Sequence, residues 1–165
     1  EKSISHSQVL YRNYYGDEIL LIVREMIEVL VRRLLQNQLN TCCIHLSLYY
    51  SKEIGGGVFH SMTLETPTNL VSEILKVCTF LVDYYYDGIS PIRKVGLSFS
   101  KLTKQNGIQL NLFESFQEKQ TEAKTIRIFD EIKSSFGKNS IYYASALLSY
   151  STTIEQNKKI GGHHA

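Results

Sequence analysis

Side chains able to contact phosphate or sugar groups recur at alternating positions in four segments of the chain. Most are small hydroxyls, joined by one histidine, one tyrosine and one lysine: Ser3, Ser5, Ser7, His45, Ser47, Tyr49, Ser61, Thr63, Lys94, Ser98 and Ser100. Such groups bind a nucleic-acid backbone without recognising its base sequence. The same alternation is also typical of a sheet face that meets only water, so the pattern leaves both interpretations open.

Catalytic chemistry has weaker support in the sequence. The carboxylates fall on the surfaces of predicted helices, and no two of them fall at adjacent strand ends, where a pair of metal ions could be held. Gly55-Gly56-Gly57 lacks the Lys-Ser or Lys-Thr of a phosphate-binding loop. His163 and His164 have no third metal ligand nearby. We therefore predict no catalytic residue, metal site or cofactor in this chain.

A five-residue motif, Gln109-Leu110-Asn111-Leu112-Phe113, stands out in an otherwise polar segment. An extended peptide of this kind can insert Leu112 and Phe113 into an apolar pocket while the Gln109 amide forms a directional hydrogen bond. Burying two such side chains is worth about 1.5–3 kcal/mol each, enough for a micromolar contact. The alternative is that they pack on their own domain. We favour a partner's pocket because the motif follows a complete domain.

The elements that position these residues follow the order β-α-β-β-α-β. Alternation of apolar and polar residues predicts four strands, at 2–10, 41–50, 58–65 and 91–101. Helical periodicity predicts one helix from Asp17, its N-cap, to about Gln36, and a second that starts at Thr66-Pro67. This order predicts an α+β fold in which two helices cover one face of a four-stranded sheet and leave the other face open.

The rest of the chain is predicted as an appendage to this first domain, 1–104. Residues 105–120 are predicted as a linker and 121–165 as a helical tail. Within the tail, 121–136 has the pattern of an amphipathic helix with Gly137 as its C-cap. Its apolar stripe, for which the domain offers no evident partner, consists of Ile128, Phe129, Ile132 and Phe136.

Composition narrows the class of protein. With 165 residues, the chain is long enough for one domain and an appendage. A net charge of +2 makes only a weak case for nucleic acid. Three cysteines without CxxC spacing predict buried thiols in a reducing compartment. No apolar stretch is long enough to span a membrane, and a start at Glu1 without a signal peptide favours a fragment of a longer cytoplasmic protein.

Several segments together resemble one family. KSISHS at 2–7, PIRKVGLSFSKL at 91–102, the motif at 109–113, and the tail segments IFDEIKSSFGKNSIYYASAL and IGGHHA are similar to the C-terminal portion of a Y-family lesion-bypass DNA polymerase. That portion is the little finger, or polymerase-associated, domain, here of the ImpB/MucB/SamB (UmuC-like) branch in Gram-positive bacteria. The motif at 109–113 resembles the bacterial sliding-clamp-binding pentapeptide.

The resemblance implies a role in error-prone translesion synthesis, DNA repair and the SOS response. In the family the little finger lays its open sheet across the DNA major groove and grips the phosphate backbone. The residues that match by position, and that would contact backbone phosphates, are Ser3, Ser5, His6, Ser61, Arg93, Lys94 and Ser98. The Gly55-Gly56-Gly57 hairpin tip departs from the family, in which this loop is basic.

The resemblance also implies partners and a location. Primer-template DNA, the bacterial sliding clamp and the rest of the polymerase chain are the expected partners, in the cytoplasm at the nucleoid and away from membranes. The family's carboxylates, Mg²⁺ sites and nucleotide pocket belong to the palm and fingers, which are not in this sequence. DNA binding by this chain alone is expected to be weak and strongly dependent on salt.

Two other functions remain open. The segment 105–165 could be a protein-docking arm whose stripe at 121–136 packs on the palm, on a regulatory protein or on a second copy of the chain. A ferredoxin-like RNA-binding domain would need exposed aromatic rings on the central strands. Tyr49 is the only good candidate for such a ring in the sequence pattern.

Overall fold

The secondary structure follows the predicted β-α-β-β-α-β order and confirms the α+β class. The structure, a computed structural model, describes residues 3–105, 116–160 and 163–164. The first domain contains β1 (Ile4–Tyr14), α1 (Asp17–Gln36), β2 (Leu39–Tyr50), β3 (Gly57–Thr68), α2 (Val71–Tyr85), β4 (Ile92–Ser100) and β5 (Thr103–Lys104). The tail contains α3 (Phe116–Phe136), a 3-10 turn (Ala144–Leu147), α4 (Thr153–Asn157), β6 (Lys159–Ile160) and β7 (His163–His164).

The main sheet has the strand order β1-β4-β2-β3, and all of its pairs are antiparallel. The short strand β5 pairs with the start of β2, so the predicted four-stranded sheet carries a fifth strand of two residues. β1 and β3 are the two edges of the four-strand path. β4 and β2 therefore hold the middle of the sheet.

One face of the sheet is covered by α1 and α2. The apolar positions of α1 recur every three to four residues and are buried, as the sequence predicts: Ile19, Ile22, Val23, Met26, Ile27, Leu30 and Leu34. They pack on the alternate residues of the central strands, including Ile44, Leu46, Leu48, Val95, Leu97 and Phe99. Burial of this one face fixes the register, because a slip of one residue would turn every side chain over.

The start of α2 differs from the prediction. Thr66 and Pro67 lie in β3, and the helix begins only at Val71. Proline is tolerated there because β3 is an edge strand, where a missing backbone donor leaves no neighbour unpaired. At the start of α1, Gly16 rather than Asp17 holds the N-cap position, with a φ of 47°. Asp17 is instead the first helical residue.

The tail does not stand free of the domain. α3 begins at Phe116, inside the predicted linker, while 106–115 lie outside the described residues. Ile126, which the predicted stripe omitted, is buried in the core, whereas Ile128 and Phe136 are exposed. Asp130 receives a 2.9 Å hydrogen bond from Gln36 of α1. α3 therefore packs on the domain through Ile126 and Asp130, which lie outside the predicted stripe.

Candidate nucleic-acid interface

The face of the sheet opposite α1 and α2 carries rows of small polar side chains. We call it the open face and define it by the residues of four cross-strand rows. One row crosses all four strands through the register pairs Ser5 with Ser98, Ser98 with His45, and His45 with Ser61. The second row consists of Ser7, Gly96, Ser47 and Phe59, and the third of Val9, Lys94, Tyr49 and Gly57. The fourth row lies on the other side of the first and consists of Ser100, Cys43 and Thr63.

Small side chains make the middle of the open face concave. Ser5, Ser7, Ser47, Gly96 and Ser98 line an open groove of about 430 Å³. A Cβ atom added at Gly96 would lie 3.4 Å from the Cβ of Ser47, in van der Waals contact with it, so a larger side chain there would occupy the groove. The groove exists because hydroxyls and a glycine, rather than long chains, occupy adjacent positions.

His45 sits at the centre of the open face and is held by its neighbours. Its Nε2 lies 2.8 Å from the Ser100 hydroxyl and 3.4 Å from the Cys43 sulfur. Thr63 donates a weaker hydrogen bond to the same sulfur at 3.7 Å. These contacts orient the imidazole without covering it, because His45 is only half-buried. A fixed ring and neighbouring hydroxyls can offer hydrogen bonds to a phosphate oxygen.

Cations lie in the rows and beside them. The Nζ of Lys94 lies 4.8 Å from the centroid of the Tyr49 ring. Lys101, directly after β4, donates a 3.3 Å hydrogen bond to the Thr63 hydroxyl. Arg33 reaches from the last turn of α1 to the free edge of β1, where it donates to the Ser5 carbonyl at 3.1 Å and lines the groove. The rows themselves contain no acidic residue, so the local charge favours an anion.

The structure places most of the predicted phosphate contacts on this surface. Ser5, Ser61, Lys94 and Ser98 belong to the open-face rows, and Ser3 is exposed just ahead of β1. Their DNA contacts stay a prediction. Three of them, Ser5, Ser61 and Ser98, share one row, and Lys94 lies two rows away.

His6 and Arg93 do not lie in these rows. His6 follows the buried alternation of β1 and faces the helices, where burial and the nearby Arg33 charge lower its pKa below 6.5. Arg93 donates a hydrogen bond to the carbonyl of Leu10 and is half-buried, beside the point where pairing of β4 with β2 shifts register. Neither residue belongs to the rows, although His6 is among the residues that line the groove.

Sequence reasoning missed several residues of the surface, among them Lys101, Arg33 and Phe59. Lys101 ends the predicted strand at 91–101, where alternation assigns it to the covered face, and Arg33 lies on α1. Phe59 occupies the open face in line with Ser61 and Thr63, so the same period of two could have found it. Arg33 had no such signal, because its position depends on how the end of α1 meets the edge of β1.

One further predicted site, the motif of Gln109, Leu110, Asn111, Leu112 and Phe113, lies outside the described residues. Within the described ranges, no three His, Cys, Asp or Glu side chains are grouped so that they could hold a metal ion. No described helix is long and apolar enough to cross a membrane.

The fold and the surface can now be compared with known proteins. The model of the impB/mucB/samB family C-terminal domain matches residues 1–112. The chain belongs to the impB/mucB/samB family. This match confirms the family predicted from the segments at 2–7 and 91–102.

Curated relatives extend the match of this impB/mucB/samB chain. It is 31% identical over 163 residues to the putative UV-damage repair protein UvrX of Bacillus subtilis, a match that covers 98% of this chain and 38% of that protein. It is 27% identical to DNA polymerase IV 2 of Bacillus subtilis, over 99% of this chain and 40% of the relative. The chain thus spans about two fifths of the length of these relatives.

A solved structure shows the same fold as this impB/mucB/samB domain. It is a complex of beta-clamp processivity factor and the little finger domain of PolIV. The similarity has a TM-score of 0.51 at 17% identity and covers 68% of this chain and 100% of that one. The predicted little finger fold is therefore confirmed.

Proposed function

We propose that this chain is the DNA-binding and clamp-binding portion of an error-prone Y-family polymerase that acts in translesion synthesis and DNA repair. The observation that carries the proposal is the row Ser5, Ser98, His45 and Ser61, which crosses all four strands on the open face. Hydroxyl and imidazole groups in such a row suit phosphate and sugar oxygens. Relatives named as a DNA polymerase and a repair protein support this assignment.

The width of the sheet favours contacts with the DNA backbone over contacts with bases. Neighbouring strands lie about 4.8 Å apart, so four strands span about 14 Å between their axes. The major groove of B-DNA is about 12 Å wide and admits a helix or a two-stranded ribbon. A four-stranded sheet cannot enter it. The open face would therefore lie across the groove and touch the phosphates on both sides.

The charge of the surface predicts how strongly it binds. The cations in the rows or beside them include Lys94, Lys101 and Arg33. The chain as a whole, however, carries a net charge of only +2. Few phosphates would be neutralised. We therefore expect weak binding that falls as salt rises.

Clamp binding is assigned to the motif from Gln109 to Phe113. In the sequence the motif falls between the first domain and α3, which begins at Phe116. The solved complex of a beta clamp with a little finger domain supports the assignment by analogy of fold.

The proposal places catalysis elsewhere. The described residues hold no grouped metal ligands, and the chain spans about two fifths of its relatives. Mg²⁺ and the nucleotide site would belong to the palm of the full polymerase, in the cytoplasm at the nucleoid. A second candidate, a docking or dimerisation arm built on α3, has less support because Ile126 packs into the core.

DNA binding is tested by placing a negative charge on the open face. Fluorescence anisotropy would compare a duplex titrated with the wild type, Ser98→Asp, Ser61→Asp and the control Ser135→Asp. Ser135 is exposed on α3, so the control has the same net charge without touching the surface. We expect at least a tenfold loss for the two open-face variants and none for the control. Equal affinities would overturn the assignment of the open face.

Clamp binding is tested separately. Calorimetric titration into the bacterial sliding clamp would compare the wild type with the double variant Leu112→Ala and Phe113→Ala. We expect micromolar binding that the double variant abolishes. Binding that survives in the variant, or none by the wild type, would remove the clamp assignment and leave the DNA result untouched.

A further inference from the structure

The hairpin end of the open face differs from its polar middle. Tyr49 and Phe59, on the adjacent strands β2 and β3, keep 36% and 52% of their surface exposed. Their ring centroids lie 5.0 Å apart with an interplanar angle of 77°. We call these two rings, with Lys94 beside them, the aromatic cluster. Phe59 ends the row of Ser7, Gly96 and Ser47 that lines the groove, and Tyr49 and Lys94 lie in the next row.

Packing within the sheet does not account for the cluster. Cross-strand aromatic pairs stabilise a sheet by covering one another. Here the edge-to-face contact fixes the two rings but leaves half of Phe59 in solvent. A ring held rigidly with its surface exposed is the arrangement that proteins use to stack on an unpaired base.

Charge selects a nucleic-acid partner over an apolar protein surface. The Nζ of Lys94 lies 4.8 Å from the Tyr49 ring centroid, so a cation accompanies the exposed rings. The rows that contain the cluster have no acidic residue. An unpaired nucleotide presents both a base for the rings and a phosphate for the lysine.

The bare hairpin tip leaves the cluster accessible. Gly55 and Gly56 have φ values of 70° and 73°, and a Cβ added to either would meet nothing within 4 Å. At Gly57, beside Tyr49, an added Cβ would lie 2.1 Å from the Leu48 carbonyl oxygen, so that position excludes a side chain. The Gly-Gly-Gly sequence thus removes long side chains from the approach to Phe59.

We propose that the aromatic cluster binds an unpaired base of a single-stranded DNA extension while the rows of hydroxyls hold the adjoining duplex. Phe59 stacks on the base, Tyr49 holds Phe59 in place, and Lys94 pairs with the phosphate. This inference rests on the proposed DNA binding and adds that the surface prefers a junction to a blunt duplex. Loss of one stacked base costs about tenfold in affinity.

The test uses three DNA probes and the full 165-residue chain. Anisotropy would be measured with a blunt duplex, the same duplex with a single-stranded extension, and that extension made of abasic sites. Abasic sites keep the phosphates and remove the bases. The variants are Phe59→Leu, which stays apolar but cannot stack, and the control Phe80→Leu. Phe80 is 49% exposed on α2, on the other side of the sheet.

We expect the wild type and Phe80→Leu to bind the extended duplex about tenfold more tightly than the blunt or abasic probe. Phe59→Leu should bind all three probes alike, with the affinity of the wild type for the blunt duplex. Equal binding of normal and abasic extensions by the wild type would overturn the inference even if no variant folded. If blunt duplex is bound, the proposed DNA function survives that result; if no probe is bound, both fail.

Discussion

The side-chain amide of Gln8 donates a 2.8 Å hydrogen bond to the hydroxyl of Thr152, a residue 144 positions further along the chain. The same hydroxyl donates to the Glu25 carboxylate at 2.8 Å. Thr152 is 1% exposed. One buried hydroxyl therefore joins β1, α1 and the tail, so the tail is part of the folded unit.

Replacing this hydroxyl tests how strongly the tail is held. Thr152→Val keeps the shape of the side chain but leaves the Gln8 amide without its acceptor. A buried polar group without a partner costs about 1–3 kcal/mol. We expect urea unfolding to show a loss of that size, and almost no change for Ser149→Val, since Ser149 is exposed. Equal stability of the two variants would mean that the tail contact contributes little.

Glu28, which lies beneath the tail, should make the stability of the fold depend on pH. Burial raises the pKa of Glu28 from 4.5 to about 7, against the opposing charges of Arg24 and Lys133. In the unfolded chain the carboxyl titrates near its ordinary value. Between pH 4.5 and 7 the folded state therefore binds more protons, and its stability falls as the pH rises through this window.

Glu28→Gln should remove that fall. The amide has nearly the same shape and no charge, so we expect the variant to be more stable than the wild type at pH 8, by up to about 3 kcal/mol. At pH 4.5 the difference should be small. Thermal unfolding from pH 4.5 to 8 would measure the difference in stability between variant and wild type. Glu131→Gln, on the exposed side of α3, is the control. A variant whose stability falls with pH as steeply as the wild type would rule out Glu28 as the cause.

Two isoleucines of α3, Ile126 and Ile128, should differ sharply in their contribution to stability. Ile126 is buried and Ile128 is 43% exposed, although both lie on the same helix. Truncation of a buried isoleucine to alanine costs about 2–5 kcal/mol, with smaller values where the site can collapse. We expect Ile126→Ala to lower the free energy of unfolding by at least 1–2 kcal/mol and Ile128→Ala to change it by less than about 0.5 kcal/mol. Denaturant unfolding of the pair would check this, and the reverse order would mean that α3 packs through its other side.

How far the sequence predicts the structure depends on whether a pattern is local. The bounds of α1 were predicted correctly because seven apolar positions repeat at helical spacing. The predicted start of α2 was wrong. Thr66-Pro67 has the residue types of a helix start, but pairing with β2 keeps this segment in β3. The bond between Gln8 and Thr152 could not be foreseen, because it depends on how distant elements meet.

In the candidate site, too, the placement of individual residues on the open face was correct only where the local alternation was followed. Matching by family position assigned the neighbours Ser5 and His6 to one surface. Successive side chains of a strand point to opposite faces, so the two could not share it, and His6 turns to the helices. Strict alternation would have excluded His6 and would have added Phe59. Arg93 was less predictable because the register shifts beside it.

The salt dependence of DNA binding should show whether Lys101, which was not among the predicted phosphate contacts, neutralises a phosphate. Its ammonium lies at the Thr63 end of the open face, 3.3 Å from that hydroxyl, and is exposed. If it neutralises one phosphate, Lys101→Gln should reduce the slope of log K against log salt by about 0.9. Lys76→Gln, which removes an exposed charge from α2, should leave the slope unchanged. Anisotropy titrations of one duplex at several salt concentrations would measure both slopes. Equal slopes for the two variants would show that phosphates do not reach this end of the sheet, and the DNA would then lie over Lys94 and Arg33 instead.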